Sequence, residues 1–177
     1  MSVPSNFKLQ SLVSKDQNAL LSVYQSLCPQ LTIEVKDMAQ TVKKFSSISL
    51  GNQRYGSKLE CRSLRSARIL ASWADEEHVR LDSLSFVAGC VLFYFSHSVK
   101  LDGKFVEHVF ACTVWHKADE DPDHFGNPTK TWKLNKYVAH GSSRFLPVQK
   151  LYCRYSAAET LIGGEKKLLS VALDNYH

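Results

Sequence analysis

The chain has 177 residues, of which 44% are hydrophobic, and a formal net charge of +5, which allows one substantial core and argues against disorder. No uninterrupted apolar run approaches the roughly 18 residues of a membrane span, so no membrane partner is expected. Five scattered cysteines without a Cys-x-x-Cys pair argue for buried free thiols rather than a secreted disulfide framework, and against a zinc knuckle.

Residues 1–6 lack the basic and apolar regions of a signal peptide, and the expected setting is nuclear or cytoplasmic. Ser14 and Gln17 have the spacing of a capping box, and Leu20, Val23, Tyr24 and Leu27 recur on one helical face, predicting a first helix over 15–27. After Pro29, the positions Val35, Met38, Ala39, Val42 and Phe45 predict a second helix over 33–45, although 31–35 can also be read as the start of a strand. From Ser46 the texture turns to short β-type runs at 46–50, 54–59 and 67–73. The organisational boundary falls near Gly51, giving a helical segment over 1–50 packed on a barrel domain over 51–177.

The strongest signal lies between Ser85 and Lys117, where two nearly charge-free runs meet at Asp102-Gly103. Both turn residues tolerate the positive φ of a type I′ turn, so a hairpin is predicted. A two-residue loop then fixes the register. Leu101 faces Lys104, Val99 faces Val106, His97 faces His108, Phe95 faces Phe110, Phe93 faces Cys112 and Val91 faces Val114. The other set pairs Tyr94 with Ala111, Leu92 with Thr113 and Cys90 with Trp115. A hairpin cannot bury such faces alone, so further strands must close over it. A polar excursion follows over 118–143, with a strand or helical turn over 131–137, and the chain ends in a hairpin about Gly163-Gly164. The expected fold is mainly β (α+β), a small, partly open antiparallel barrel with an N-terminal pair of helices.

Charge is distributed unevenly. Residues 1–70 carry ten Lys/Arg against four Asp/Glu, residues 71–130 five against ten, and residues 131–177 seven against three, giving +6, −5 and +4. Arg54, Lys58, Arg62, Arg65 and Arg68 are spaced by three or four residues and form a candidate phosphate-contacting stretch, whose alternative is an ordinary basic surface. The aromatics Trp115, Phe125, Trp132 and Tyr137, with Glu120 and Asp121 beside them, form a candidate cage for a cationic peptide such as a histone tail, the alternative being core aromatics. His97 opposite His108 could hold zinc with a third ligand such as Cys112, or be two hydrogen-bonded histidines near a sheet end. Asp119, Asp121 and Asp123 repeat like the start of an EF-hand loop. However, His124 stands where that loop needs glycine and Lys130 where it needs glutamate, which argues against calcium. No nucleophile elbow, phosphate loop or His-Glu-x-x-His is present, so no catalytic residue, metal or cofactor is assigned.

The order Trp115-His116-Lys117, the excursion, Trp132, and then Phe145 to Arg154 with Pro147-Val148 and Cys153 resembles the latter part of a bromo-adjacent homology domain. With Tyr55-Gly56-Ser57, Arg65-Ser66, Ile69 to Trp73 and His124-Phe125-Gly126, the chain also resembles an uncharacterised domain of animal mobile-element reading frames. Together these similarities span Arg54 to Arg154. The first implies a non-enzymatic β-barrel docking on chromatin, a histone tail or a partner protein, although His116 stands where a second aromatic often follows the tryptophan. The second implies nuclear nucleic-acid biology. The expectation is a chromatin- or DNA-associated binding module, derived from a mobile element. The alternatives are a DNA-binding accessory domain of a transposon protein and a hydrolase or nuclease.

Overall fold

The computed structural model describes residues 4–59, 64–73, 86–139 and 141–173. In chain order these form β1 (Lys8–Ser11), α1 (Ser14–Leu27), β2 (Thr41–Phe45), β3 (Ile48–Leu50), β4 (Gln53–Tyr55), β5 (Arg68–Ala71), β6 (Val87–Leu101) and β7 (Lys104–Ala118). They continue with β8 (Thr129–Tyr137), β9 (Phe145–Pro147), β10 (Leu151–Ile162) and β11 (Glu165–Ala172). The spine is the β6–β7 hairpin. Asp102 (φ 48) and Gly103 (φ 80) both lie in the left-handed region, as the type I′ turn requires. From Leu101↔Lys104 through His97↔His108 to Phe93↔Cys112 the pairing is the predicted one.

Beyond Phe93 the register shifts, because β6 carries one extra residue, Leu92. Val91 therefore pairs with Thr113, Cys90 with Val114 and Gly89 with Trp115, correcting the expected pairs Val91–Val114, Leu92–Thr113 and Cys90–Trp115. A bulge of this kind bends its strand and increases the twist. Here it separates two halves of the hairpin. The half nearer the strand ends curls into a barrel, and the half nearer the turn continues as an open sheet.

The barrel is closed rather than partly open. Its six strands run β6-β5-β10-β11-β8-β7 and return to β6. Its interior holds Leu70, Ala88, Trp132, Cys153, Tyr155 and Leu168. A second core lies against the outer face, where Ile69, Val91 and Trp115 pack beneath Ile48 and Tyr55 of the β3–β4 hairpin, with Phe45 and Leu146. Trp115 lies tightly over Gly89: a Cβ there would sit 2.6 Å from Trp115 Cε3.

Past the bulge, β6 pairs with β2 and β7 with β9, extending the hairpin into a sheet. α1 lies on it, with Leu20, Val23 and Tyr24 against Phe95, Val99, Phe110 and Phe145. The helix matches the expected span, but Val13 is its N-cap and no side-chain cap bond forms, because Ser14 is already the first helical residue. The expected second helix is absent. Glu34 and Asp37 close a reciprocal capping box on the single 3-10 turn Val35–Asp37, and the chain then enters β2, pairing with β1 on one side and β6 on the other. Long-range pairing of Thr41 and Val42, both β-branched, overrides the local helical period.

Among the described residues no helix is long and apolar enough to cross a membrane. Cys28, Cys90, Cys112 and Cys153 are free thiols, the last three buried; Cys61 lies outside the described residues.

Candidate nucleic-acid interface

The loop between β4 and β5 carries most of the predicted basic residues, and the Leu92 bulge positions it. The Lys58 N–H donates to the Val91 carbonyl at 2.9 Å, and the Val91 N–H donates to the Ala67 carbonyl at 2.9 Å. Gly56 N–H to Ser66 C=O, at 3.1 Å, closes the loop. Lys58 and Arg65 are exposed, the latter on the 3-10 turn Leu64–Ser66. Arg68 opens β5, pairs with Cys90 across the sheet, and shares the inward face of Leu70. It is half-buried. Arg62 lies outside the described residues, and Arg54 stands apart on β4, its guanidinium donating to Ser47 Oγ at 3.2 Å. The structure thus brings Lys58, Arg65 and Arg68 to one loop and strand start, without Arg54.

Beneath them, inside the barrel, His116 Nε2 and the Tyr155 hydroxyl share a hydrogen bond of 3.0 Å. His116 is 8% exposed, and its Nδ1 has no hydrogen-bond partner among the described residues. Tyr137 pairs with His116 across β7–β8, with their rings 5.2 Å apart. Burial, then the charges of Arg68 and Lys58, hold the His116 pKa down at about 4, so the ring is neutral at physiological pH. Burial likewise pushes the Tyr155 hydroxyl well above its ordinary value. In the sequence His116 stands out only as a departure from the aromatic expected after Trp115. The available signal was its position on the apolar face that continues Phe110, Cys112 and Val114, where a histidine needs a partner.

The aromatic cage does not assemble. Trp115 is 6% exposed and donates through Nε1 to the Ser143 carbonyl at 2.8 Å, outside the barrel wall. Trp132 is 4% exposed and donates to Ser170 Oγ at 2.7 Å inside it. The two side chains leave opposite faces of the barrel wall. Phe125 and Tyr137 are exposed, at 52% and 42%, but Phe125 packs on His124 and Tyr137 on His116.

Three of the four carboxylates of the acidic loop pair with lysines, and the fourth, Asp121, meets a histidine. Asp119 pairs with Lys167 at 2.8 Å, with side chains only 7% and 12% exposed. Glu120 pairs with Lys133 at 3.2 Å, Asp121 with His124 at 3.2 Å, and Asp123 with Lys130. Lysines of β8 and β11 therefore occupy the charge that a cationic peptide would need. Asp119, Glu120, Asp121, His124 and Lys167 do line a shallow cleft of about 300 Å³.

His97 and His108 are opposite each other, as expected, but beneath α1. His97 Nε2 lies 2.9 Å from the Ala39 carbonyl. A carbonyl only accepts, so Nε2 carries the proton, and the Tyr24 hydroxyl donates to Nδ1 at 2.9 Å. Both ring nitrogens are thus occupied by protein partners, in place of the zinc considered from sequence. Among the described residues no group of three His, Cys, Asp or Glu could hold a metal ion. Burial is the leading cause that holds both histidines below their ordinary range. No protein-family model, curated protein or solved structure matches the chain.

Proposed function

We propose that this protein is a non-enzymatic, nucleic-acid-associated binding module that contacts the phosphate backbone through Lys58, Arg65 and Arg68 at one end of the barrel. One observation carries the proposal. The loop carboxylates Asp119, Glu120, Asp121 and Asp123 are all committed to internal partners, whereas no carboxylate among the described residues pairs with these three cations. Positive charge that no carboxylate among the described residues balances attracts a polyanion and releases its counterions. The burial of Trp115 and Trp132 counts against the peptide-cage alternative. Buried His97 and His116 are each hydrogen-bonded to a tyrosine, an arrangement that builds core rather than an accessible proton-transfer site, which supports a binding role over hydrolysis. The chromatin setting and nuclear location belong to the same proposal and rest on the resemblance of Arg54 to Arg154 to the bromo-adjacent homology and mobile-element domains.

The test is duplex DNA binding at low salt by the wild type and by a Lys58→Gln, Arg65→Gln, Arg68→Gln variant. A loss of about tenfold or more in affinity supports the reading, since each neutralised phosphate contact weakens binding independently of sequence. Equal affinity in both proteins, or affinity for modified histone peptides with none for DNA, overturns it.

A further inference from the structure

Tyr137 is the last residue of β8, and the strand is bent to place it. β7 and β8 pair through Ala118↔Trp132 and His116↔Tyr137, so five steps along β8 match two along β7. Asn135, within this bulge, has φ 56, a left-handed conformation that asparagine adopts more readily than most residues. Bulges re-aim side chains, and this one sets the Tyr137 ring 5.2 Å from that of His116, inclined by 34°. The imidazole is itself held by the Tyr155 hydroxyl at 3.0 Å. The tyrosine ring is thus backed by an anchored, buried neighbour, while 42% of the residue remains accessible. The same imidazole ties the ring to the basic loop. Ile69 pairs with Arg154, so Arg68 falls in the row of Tyr155, and Arg68 and Lys58 lie close enough to His116 for their charges to act on it. Lys136, next to Tyr137, is exposed. A fixed aromatic face beside cations suits a strand whose bases are unpaired: the cations meet phosphate oxygens and the ring takes a base. In a duplex each base is already stacked, and reaching it costs unstacking energy.

We propose that the nucleic acid selected at this surface is single-stranded, with an unpaired base stacked on Tyr137 and the neighbouring phosphates on the basic loop. The inference rests on the nucleic-acid reading for the phosphate contacts and adds to it the strand state that the site prefers.

The experiment compares, at one low salt concentration, the affinities of the full chain for a short oligothymidylate, the matching oligouridylate, a duplex of the same length, and an abasic strand that keeps the phosphates and lacks the bases. The intact strand is expected to bind about tenfold more tightly than the abasic one, roughly the worth of one stacked base, and more tightly than the duplex. Tyr137→Leu should bring the intact strand down to the affinity of the abasic strand, whereas Tyr137→Phe, which keeps the ring, should retain the difference. The abasic comparison uses the wild type, so it stands whatever the variants do to stability. The tighter of the deoxyribose and ribose strands identifies the source of the base. Intact and abasic strands of equal affinity, single-strand binding undiminished in Tyr137→Leu, or a duplex held more tightly than the single strand would overturn the proposal. If duplex binding is still weakened by Lys58→Gln, Arg65→Gln, Arg68→Gln in that case, the nucleic-acid reading stands and only the strand preference falls. A protein that binds neither duplex nor single strand overturns both.

Discussion

The two buried histidines share one chemistry, yet their surroundings differ. His97 and Tyr24, 2.9 Å apart beneath the helix, form a chain that ends on the Ala39 carbonyl, with both imidazole nitrogens satisfied. His116 and Tyr155, 3.0 Å apart inside the barrel, leave Nδ1 without a partner and lie close enough to Arg68 and Lys58 for both charges to lower the histidine pKa. Both pairs sit on the same face of the β6–β7 hairpin, on either side of the Leu92 bulge. In the helix-covered half the hydrogen-bond chain is embedded in the apolar packing of Leu20, Val23, Phe95 and Phe110, where the neighbouring His108 also leaves Nδ1 without a hydrogen-bond partner among the described residues. The barrel half ends at Lys58, Arg65 and Arg68, with which no carboxylate among the described residues pairs, and this is the surface proposed for the ligand.

The largest effect expected from this contrast is on pH dependence. His116 titrates at about 4 in the folded protein against an ordinary 6.5. Its contribution to stability is therefore fully present above about pH 6.5 and is lost as the pH falls toward 4, amounting to about 3 kcal/mol over the window. Urea denaturation at neutral and mildly acidic pH measures this. His97 and His108, also held low, act in the same direction. His116→Gln should show a clearly smaller acid loss than wild type, and an unchanged loss would remove His116 from the account.

Next in size is Gly89→Ala in the barrel half. Its new methyl would meet Trp115 Cε3 at 2.6 Å and Thr113 Cγ2 at 2.7 Å, an overpacking that should destabilise the fold by about 2–3 kcal/mol in chemical denaturation. On the helix side, Tyr24→Phe removes the hydroxyl that donates to His97 Nδ1. Leaving that buried acceptor unpaired should destabilise by about 1–2 kcal/mol. The smallest expected effect is that of Glu120→Gln. Its ion pair with Lys133 is exposed, with the glutamate side chain 90% accessible, so the change in stability should stay under about 0.5 kcal/mol.

Local chemistry made part of this architecture legible. Asp102-Gly103 specified a turn, and equal spacing from it then placed His97 against His108 and Phe95 against Phe110. Gly163 and Gly164, both at positive φ, likewise marked the β10–β11 hairpin. The Leu92 bulge was invisible because Val91, Leu92 and Phe93 are all apolar, and shifting the register by one exchanges one apolar side chain for another. The 33–45 segment misled because Val35, Met38, Val42 and Phe45 satisfy a helical period, while their partners on β1 and β6 are far away in sequence. Within the candidate site, Lys58, Arg65 and Arg68 were legible as a basic run. The cage was not, because alternation on adjacent strands sent Trp115 outward and Trp132 inward, and nothing in the local sequence says which side of a closed wall is the interior. The lysine partners of the acidic loop were equally hidden, since Asp119 meets Lys167 only when β11 folds beside β8.

The most direct test is the salt dependence of duplex DNA binding, measured for the wild type and the Lys58→Gln, Arg65→Gln, Arg68→Gln variant. The account predicts a steep linear fall of log affinity with log salt in the wild type. In the variant the slope should be shallower by about one unit for each lost phosphate contact. Affinity that is insensitive to salt, or slopes that coincide in the two proteins, would contradict it.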